Sequence, residues 1–125
     1  MTRAVKFITT LRERVPEVEP LYAEHLSYYE VLLPHIFIAD VREFVEETNT
    51  SAANGSRRAS ELLARILDVF EEGATSENDE TSNLIATSFL EGLERNHPHF
   101  ALLKNLLGPT LSSDLEKQRG LFGDD

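Results

Sequence analysis

Four histidines and 22 acidic residues, in a chain of 125, are the side chains whose types and spacing suggest chemistry. Glu94-Arg95-Asn96-His97 has the Glu-x-x-His spacing that sets two ligands on one helix face in carboxylate-bridged di-iron bundles. Glu91 lies one turn earlier, and His99 follows closely. A full site of that kind needs a second such motif and two further glutamates, and the chain has no second Glu-x-x-His. Pro98 also interrupts the backbone directly after His97. His97 and His99 are therefore expected in a helix–helix turn, with no metal site. His25 is expected at the edge of a core stripe, hydrogen-bonded.

Nucleophilic chemistry finds less support. There is no cysteine, which excludes disulfides, thiolate ligands and cysteine nucleophiles. The chain has no Gly-x-Ser-x-Gly elbow, no His-Glu-x-x-His and no Gly-x-Gly-x-x-Gly loop. No catalytic residue and no cofactor are assigned. Arg57-Arg58-Ala59-Ser60 looks like a basic kinase substrate motif, but Ser60 reads more simply as a helix N-cap.

The acids carry the strongest signal. Lys and Arg total 12 against 22 Asp and Glu, a formal charge of −10. From Val15 to Ser56 eight acids face Arg42 alone, and Glu71 to Glu80 holds five acids and no base. Met1 to Arg14, in contrast, carries +3. Charge segregated in this way steers an oppositely charged partner. It argues against nucleic acid, whose phosphates need a basic surface, and against anionic lipid. The candidate partner-binding residues are Glu43, Glu46, Glu47, Glu71, Glu72, Glu77, Asp79 and Glu80, with Tyr28 as an aromatic anchor. Glu77, Asp79 and Glu80 also suit the start of a helix, where carboxylates meet the helix dipole; Glu71 and Glu72, at a helix end, do not.

The elements that position these residues read as helices almost throughout. Val5, Ile8, Leu11 and Val15 recur at helical spacing, as do Tyr22, Leu26, Tyr29 and Leu33. Pro34 reopens a third helix with Phe37, Val41, Phe44 and Val45 inward. TNTSAANGS reads as a loop, so an internal loop is expected at about 48–59. Leu63, Ile66, Leu67 and Phe70 form a fourth stripe, which Gly73 should end. Ile85, Phe89 and Leu93 mark a fifth helix ending near Asn96, and Phe100, Leu103, Leu106 and Leu107 a sixth. Ser113 and Glu116 form a capping box for a last helix, ahead of a frayed tail at about 120–125. No alternating run long enough for a paired strand exists. The chain is expected to be all-α: six or seven short helices in one domain over residues 1–125, as a compact bundle or a short helical-repeat-like stack. Without a secretory signal or a membrane-length apolar run, a cytoplasmic protein is expected.

From Leu32 to Leu111 the segments LLPHIFIADVREFVEE, ELLARILDVFEEG, NLIATSFLEGLE and ALLKNLLGPTL resemble a group of small acidic all-helical bacterial proteins. These are immunity-type or uncharacterised proteins of polymorphic-toxin gene neighbourhoods. The resemblance implies a non-catalytic inhibitor that neutralises a basic toxin, a nuclease among the candidates, by stoichiometric binding. It supplies no functional residues. Two other readings stand beside it: a helical scaffold that self-associates as a homo-oligomer, and a small metal-dependent enzyme using Glu91, Glu94 and His97.

Overall fold

The computed structural model describes residues 2–122, and every regular element in them is helical. Helix α1 spans Arg3–Arg14, α2 Glu19–Tyr29, α3 Pro34–Ala53, α4 Arg57–Thr75, α5 Asp79–Ile85, α6 Phe100–Leu106 and α7 Pro109–Phe122. A 3-10 turn at Pro16–Val18 precedes α2, and a π-helical segment, Ala86–Leu90, continues α5. The protein is all-α, as the hydrophobic spacing predicts. Among the described residues no helix is long and apolar enough to cross a membrane.

Helices α3 and α4 form the centre. α3 packs on α4 and on the π segment, while α1 lies against α4 and α5. Phe70 of α4 stacks on Phe89 at 4.3 Å and meets Phe7 of α1 edge-on at 5.4 Å. Such ring pairs add attraction beyond the area they bury. Gly73 lets this layer close. A Cβ there would lie 2.6 Å from the Phe7 ring and 2.7 Å from Ile85.

Several boundaries differ from the sequence expectation, each for a local reason. The loop expected at about 48–59 shrinks to Asn54–Ser56, because α3 continues through TNTSAA. Its hydroxyls bond back within the helix: Thr48 donates to the Phe44 carbonyl at 2.7 Å and Thr50 to the Glu46 carbonyl at 3.2 Å. Asn49 is buried and donates to the His99 carbonyl at 3.0 Å. Ser56, not Ser60, caps α4, accepting from the Ala59 N–H at 3.1 Å. Gly73 sits inside α4 as a packing residue and does not end it. In α2 the buried side chain is His25; Tyr29 points outward.

The last helix opens at Pro109, before the Ser113–Glu116 capping box, since its N-terminus is capped from elsewhere in the fold. Helix α7 continues to Phe122, so the tail expected to fray at about 120–125 is helical up to that residue, and residues 123–125 lie outside the described residues.

Candidate functional site

Helices α2 and α3 enclose a groove of about 380 Å³ lined by Leu21, Glu24, His25, Tyr28, Tyr29, Asp40, Glu43, Phe44 and Glu47. Helical periodicity builds both walls. Glu24 and Tyr28 are four residues apart on α2, and Asp40, Glu43 and Glu47 follow at three- and four-residue steps on α3, so each set shares a face. Leu21 and Phe44 pack half-buried against the core and supply an apolar base.

The groove contains four carboxylates and no lysine or arginine. Among the described residues none of the four is ion-paired. Burial holds the Asp40 carboxyl above the usual aspartate range, and neighbouring Glu43 adds to the rise. Tyr28 stands at the rim, 79% exposed, its ring 4.7 Å from that of Tyr29. Val31, in the α2–α3 turn, and Ile36, in the first turn of α3, are also exposed apolar side chains. His25 lies beneath. It is 2% exposed, and its Nε2 accepts from the Leu33 N–H at 2.9 Å. Among the described residues its Nδ1 has no hydrogen-bond partner.

Of the candidates read from the sequence, Tyr28, Glu43 and Glu47 come together here. Glu43, Glu46 and Glu47 also line a second hollow, with Thr50, Glu94 and His97. Glu46 is partly committed to the fold, accepting from the Glu94 N–H at 2.9 Å and lying 3.7 Å from Arg42.

The other acids are dispersed and mostly occupied. Glu71 accepts from the Thr110 and Leu111 N–H groups at 2.9 and 3.0 Å, capping α7. Glu80 caps α1 through the Arg3 and Ala4 N–H groups, both at 3.3 Å. Glu72 pairs with Arg14 at 2.6 Å, and the hydrogen bond from that arginine lowers its carboxyl below the usual range. Glu77 and Asp79 remain exposed beside Asn78, the α5 N-cap. Glu24 and Asp40 are not among the partner-face residues read from the sequence, which places His25 only at the edge of a core stripe. Their signal was helical spacing: Glu24 with Tyr28, and Asp40 with Glu43 and Glu47.

The Glu94–His97 spacing does not lie on a helix. Regular structure ends at Leu90, and residues 91–99 run as turns. Glu91, Glu94 and His97 therefore lose the shared helical face on which their reading as ligands depended. Among the described residues no three His, Asp or Glu side chains gather as a metal-holding group.

His35 and Ser88 do meet, Nδ1 to Oγ at 2.5 Å, joining the start of α3 to the π segment. Thr87, whose hydroxyl donates to the Asn83 carbonyl at 2.8 Å, lies 3.3 Å from the same ring nitrogen.

A family model described as Domain of unknown function (DUF7674) matches residues 8–120, and the chain belongs to that family. No curated protein and no solved structure matches it.

Proposed function

We propose that this family member is a non-catalytic binding module that captures a basic protein partner on its α2–α3 face, in the manner of an immunity protein neutralising a basic toxin. The observation that carries this reading is Tyr28, 79% exposed at the rim of a groove with four carboxylates and no base. Tight interfaces centre on a few aromatic anchors ringed by polar residues, and charge complementarity accelerates encounter. An aromatic ring left in water beside unpaired acids supplies both parts.

Neutralisation follows if the partner's basic surface is the one that holds its own anionic substrate. The acids of α2 and α3 then compete with that substrate for the same cations. Binding needs no group transfer and no cofactor.

The test is capture of partners from the native cell at low salt, with elution by a salt gradient, using the natural chain and Glu43→Lys/Glu47→Lys side by side. A single basic protein held by the natural chain and lost by the variant supports the proposal. Equal retention by both removes the α2–α3 face.

A second reading, self-association, draws on α6, whose Leu102 and Leu106 are 49% and 55% exposed. Leu106 also borders a small hollow with Leu63, Ala64 and Leu67 of α4. Light scattering discriminates: a homodimer indifferent to salt and lost in Leu106→Glu favours this reading over charge-driven capture.

A further inference from the structure

The groove does more than present charge; its chemistry selects one kind of cation. We infer that it seats an arginine side chain of a peptide segment, with the guanidinium between Glu24 and Tyr28 and a main-chain carbonyl on His25 Nδ1. This rests on the reading of the α2–α3 face as a site for a basic protein and names what enters it.

Three observations lead there. The first is His25. Its Nε2 accepts the Leu33 N–H, so the ring proton of this tautomer sits on Nδ1. Among the described residues that donor has no hydrogen-bond partner, although the side chain is 2% exposed and lines the groove. Buried donors are normally satisfied, and the groove that His25 lines, with Asp40 near enough to feel its charge, has room for an acceptor from a bound segment. Polyamines and simple ammonium ions offer donors only, whereas a peptide brings a carbonyl beside its cation. Tyr29 lies over the imidazole at 4.8 Å and is itself 37% exposed, so admitting the carbonyl turns this ring outward.

The second observation is a filled version of the same arrangement on α2. Arg12 donates from Nε and Nη2 to the two oxygens of Glu19, at 2.6 and 3.1 Å. Its Cζ also lies 3.6 Å from the centre of the Tyr22 ring. A carboxylate and a tyrosine one turn apart thus clamp a guanidinium by fork and by face. Glu24 and Tyr28, four residues apart and five to six residues further along α2, offer the same two side-chain types on another face, and among the described residues no lysine or arginine lines the groove between them.

The third is the environment of Asp40. Its carboxyl is half-buried among acids, and a guanidinium in the groove relieves the repulsion that Glu43 exerts on it. Lysine relieves charge equally well, but its compact ammonium lacks the planar fork and stacks less well on tyrosine.

The test is titration of isotope-labelled protein with acetyl-Gly-Arg-Gly-amide and with its lysine and citrulline counterparts, read by nuclear magnetic resonance. The arginine peptide should shift the Glu24, His25, Tyr28 and Tyr29 signals and bind about threefold or more tighter than the lysine peptide, the gain expected from stacking on an aromatic face. The citrulline peptide should leave those signals in place. Tyr28→Ala and Glu24→Gln, both on exposed positions, should each bring the arginine peptide down to the lysine level with the helical circular dichroism unchanged. Equal affinity for arginine and lysine, or citrulline binding as well as arginine, overturns the arginine inference and leaves the basic-partner reading standing. If neither charged peptide moves a groove signal, both fall.

Discussion

Glu71 of α4 caps α7: its two carboxylate oxygens accept the Thr110 and Leu111 N–H groups at 2.9 and 3.0 Å. A glutamate near a helix C-terminus opposes that helix's dipole. Here the same charge serves the N-terminus of another helix, where it satisfies two backbone donors that α7 cannot satisfy itself. Gly108 makes the approach possible, since a Cβ there would lie 2.6 Å from the Glu71 carboxylate carbon.

Glu71→Ala should therefore destabilise the fold by about 1–2 kcal/mol, the usual loss for a removed N-cap. Glu71→Gln retains one acceptor oxygen and should lose less. Gly108→Ala should produce much of the same defect by displacing the carboxylate. Urea denaturation of the three variants checks this, and an unchanged midpoint for Glu71→Ala would show that the cap contributes nothing.

The Phe7–Gly73–Ile85 contact leads to a second stability prediction. Gly73→Ala improves helix propensity by about 1 kcal/mol. The added methyl meets Phe7 at 2.6 Å and Ile85 at 2.7 Å, and overpacking of this kind costs about 1–3 kcal/mol. The crowding should win, giving a net loss. Gly73→Ala combined with Phe7→Leu should recover part of it, and thermal melts of the single and double variants decide.

These two glycines also show where sequence reasoning stops. Apolar spacing located the helices because burial follows the 3.6-residue period, as in Leu63, Ile66, Leu67 and Phe70 of α4. Gly73 reads locally as a helix stop and Ser113–Glu116 as a helix start. Both expectations failed because the deciding contacts come from distant elements: Phe7 at one, Glu71 at the other. The acids divided for the same reason. Glu71 and Glu80 cap helices far along the chain, a use that charge counting cannot see. The groove was partly legible, through Tyr28, Glu43 and Glu47; its other wall required knowing that α2 lies against α3.

The carboxyl groups should give opposing pH dependences. Hydrogen bonds from Arg65, Arg12 and Arg14 lower the carboxyls of Glu17, Glu19 and Glu72 respectively. Their contribution is present above the ordinary glutamate range and lost as pH falls through the lowered values. Asp40 has the opposite sign. Burial raises its carboxyl, so ionising it costs more in the folded state than in the unfolded chain. Asp40→Asn should stabilise the protein at neutral pH, and the gain should vanish below the ordinary aspartate range, where both states are protonated. It should also weaken capture of a basic partner. Melts at neutral and acidic pH, with binding measured alongside, test the pair of effects; a destabilised neutral-pH variant would assign Asp40 a structural role.

Charge reversal separates acids that face a partner from acids that hold the fold together. Reversing Glu71, Glu72, Asp79 and Glu80 treats them as one binding face. Three of them are engaged internally, at the α7 cap, the Arg14 pair and the α1 cap. That variant should lose stability, with Glu71 and Glu80 responsible for most of the loss. Glu43→Lys/Glu47→Lys should leave the melting temperature nearly unchanged, since among the described residues neither side chain is ion-paired and surface substitutions typically fall within about 0.5 kcal/mol. Its effect should fall on the association rate, slowed by about tenfold or more at low salt and converging with the natural chain as salt screens the field. Stopped-flow association with the captured partner across a salt series checks this. An unchanged association rate would place the partner's contact elsewhere on the chain, with Glu77 and Asp79 the exposed acids left among the candidates read from the sequence.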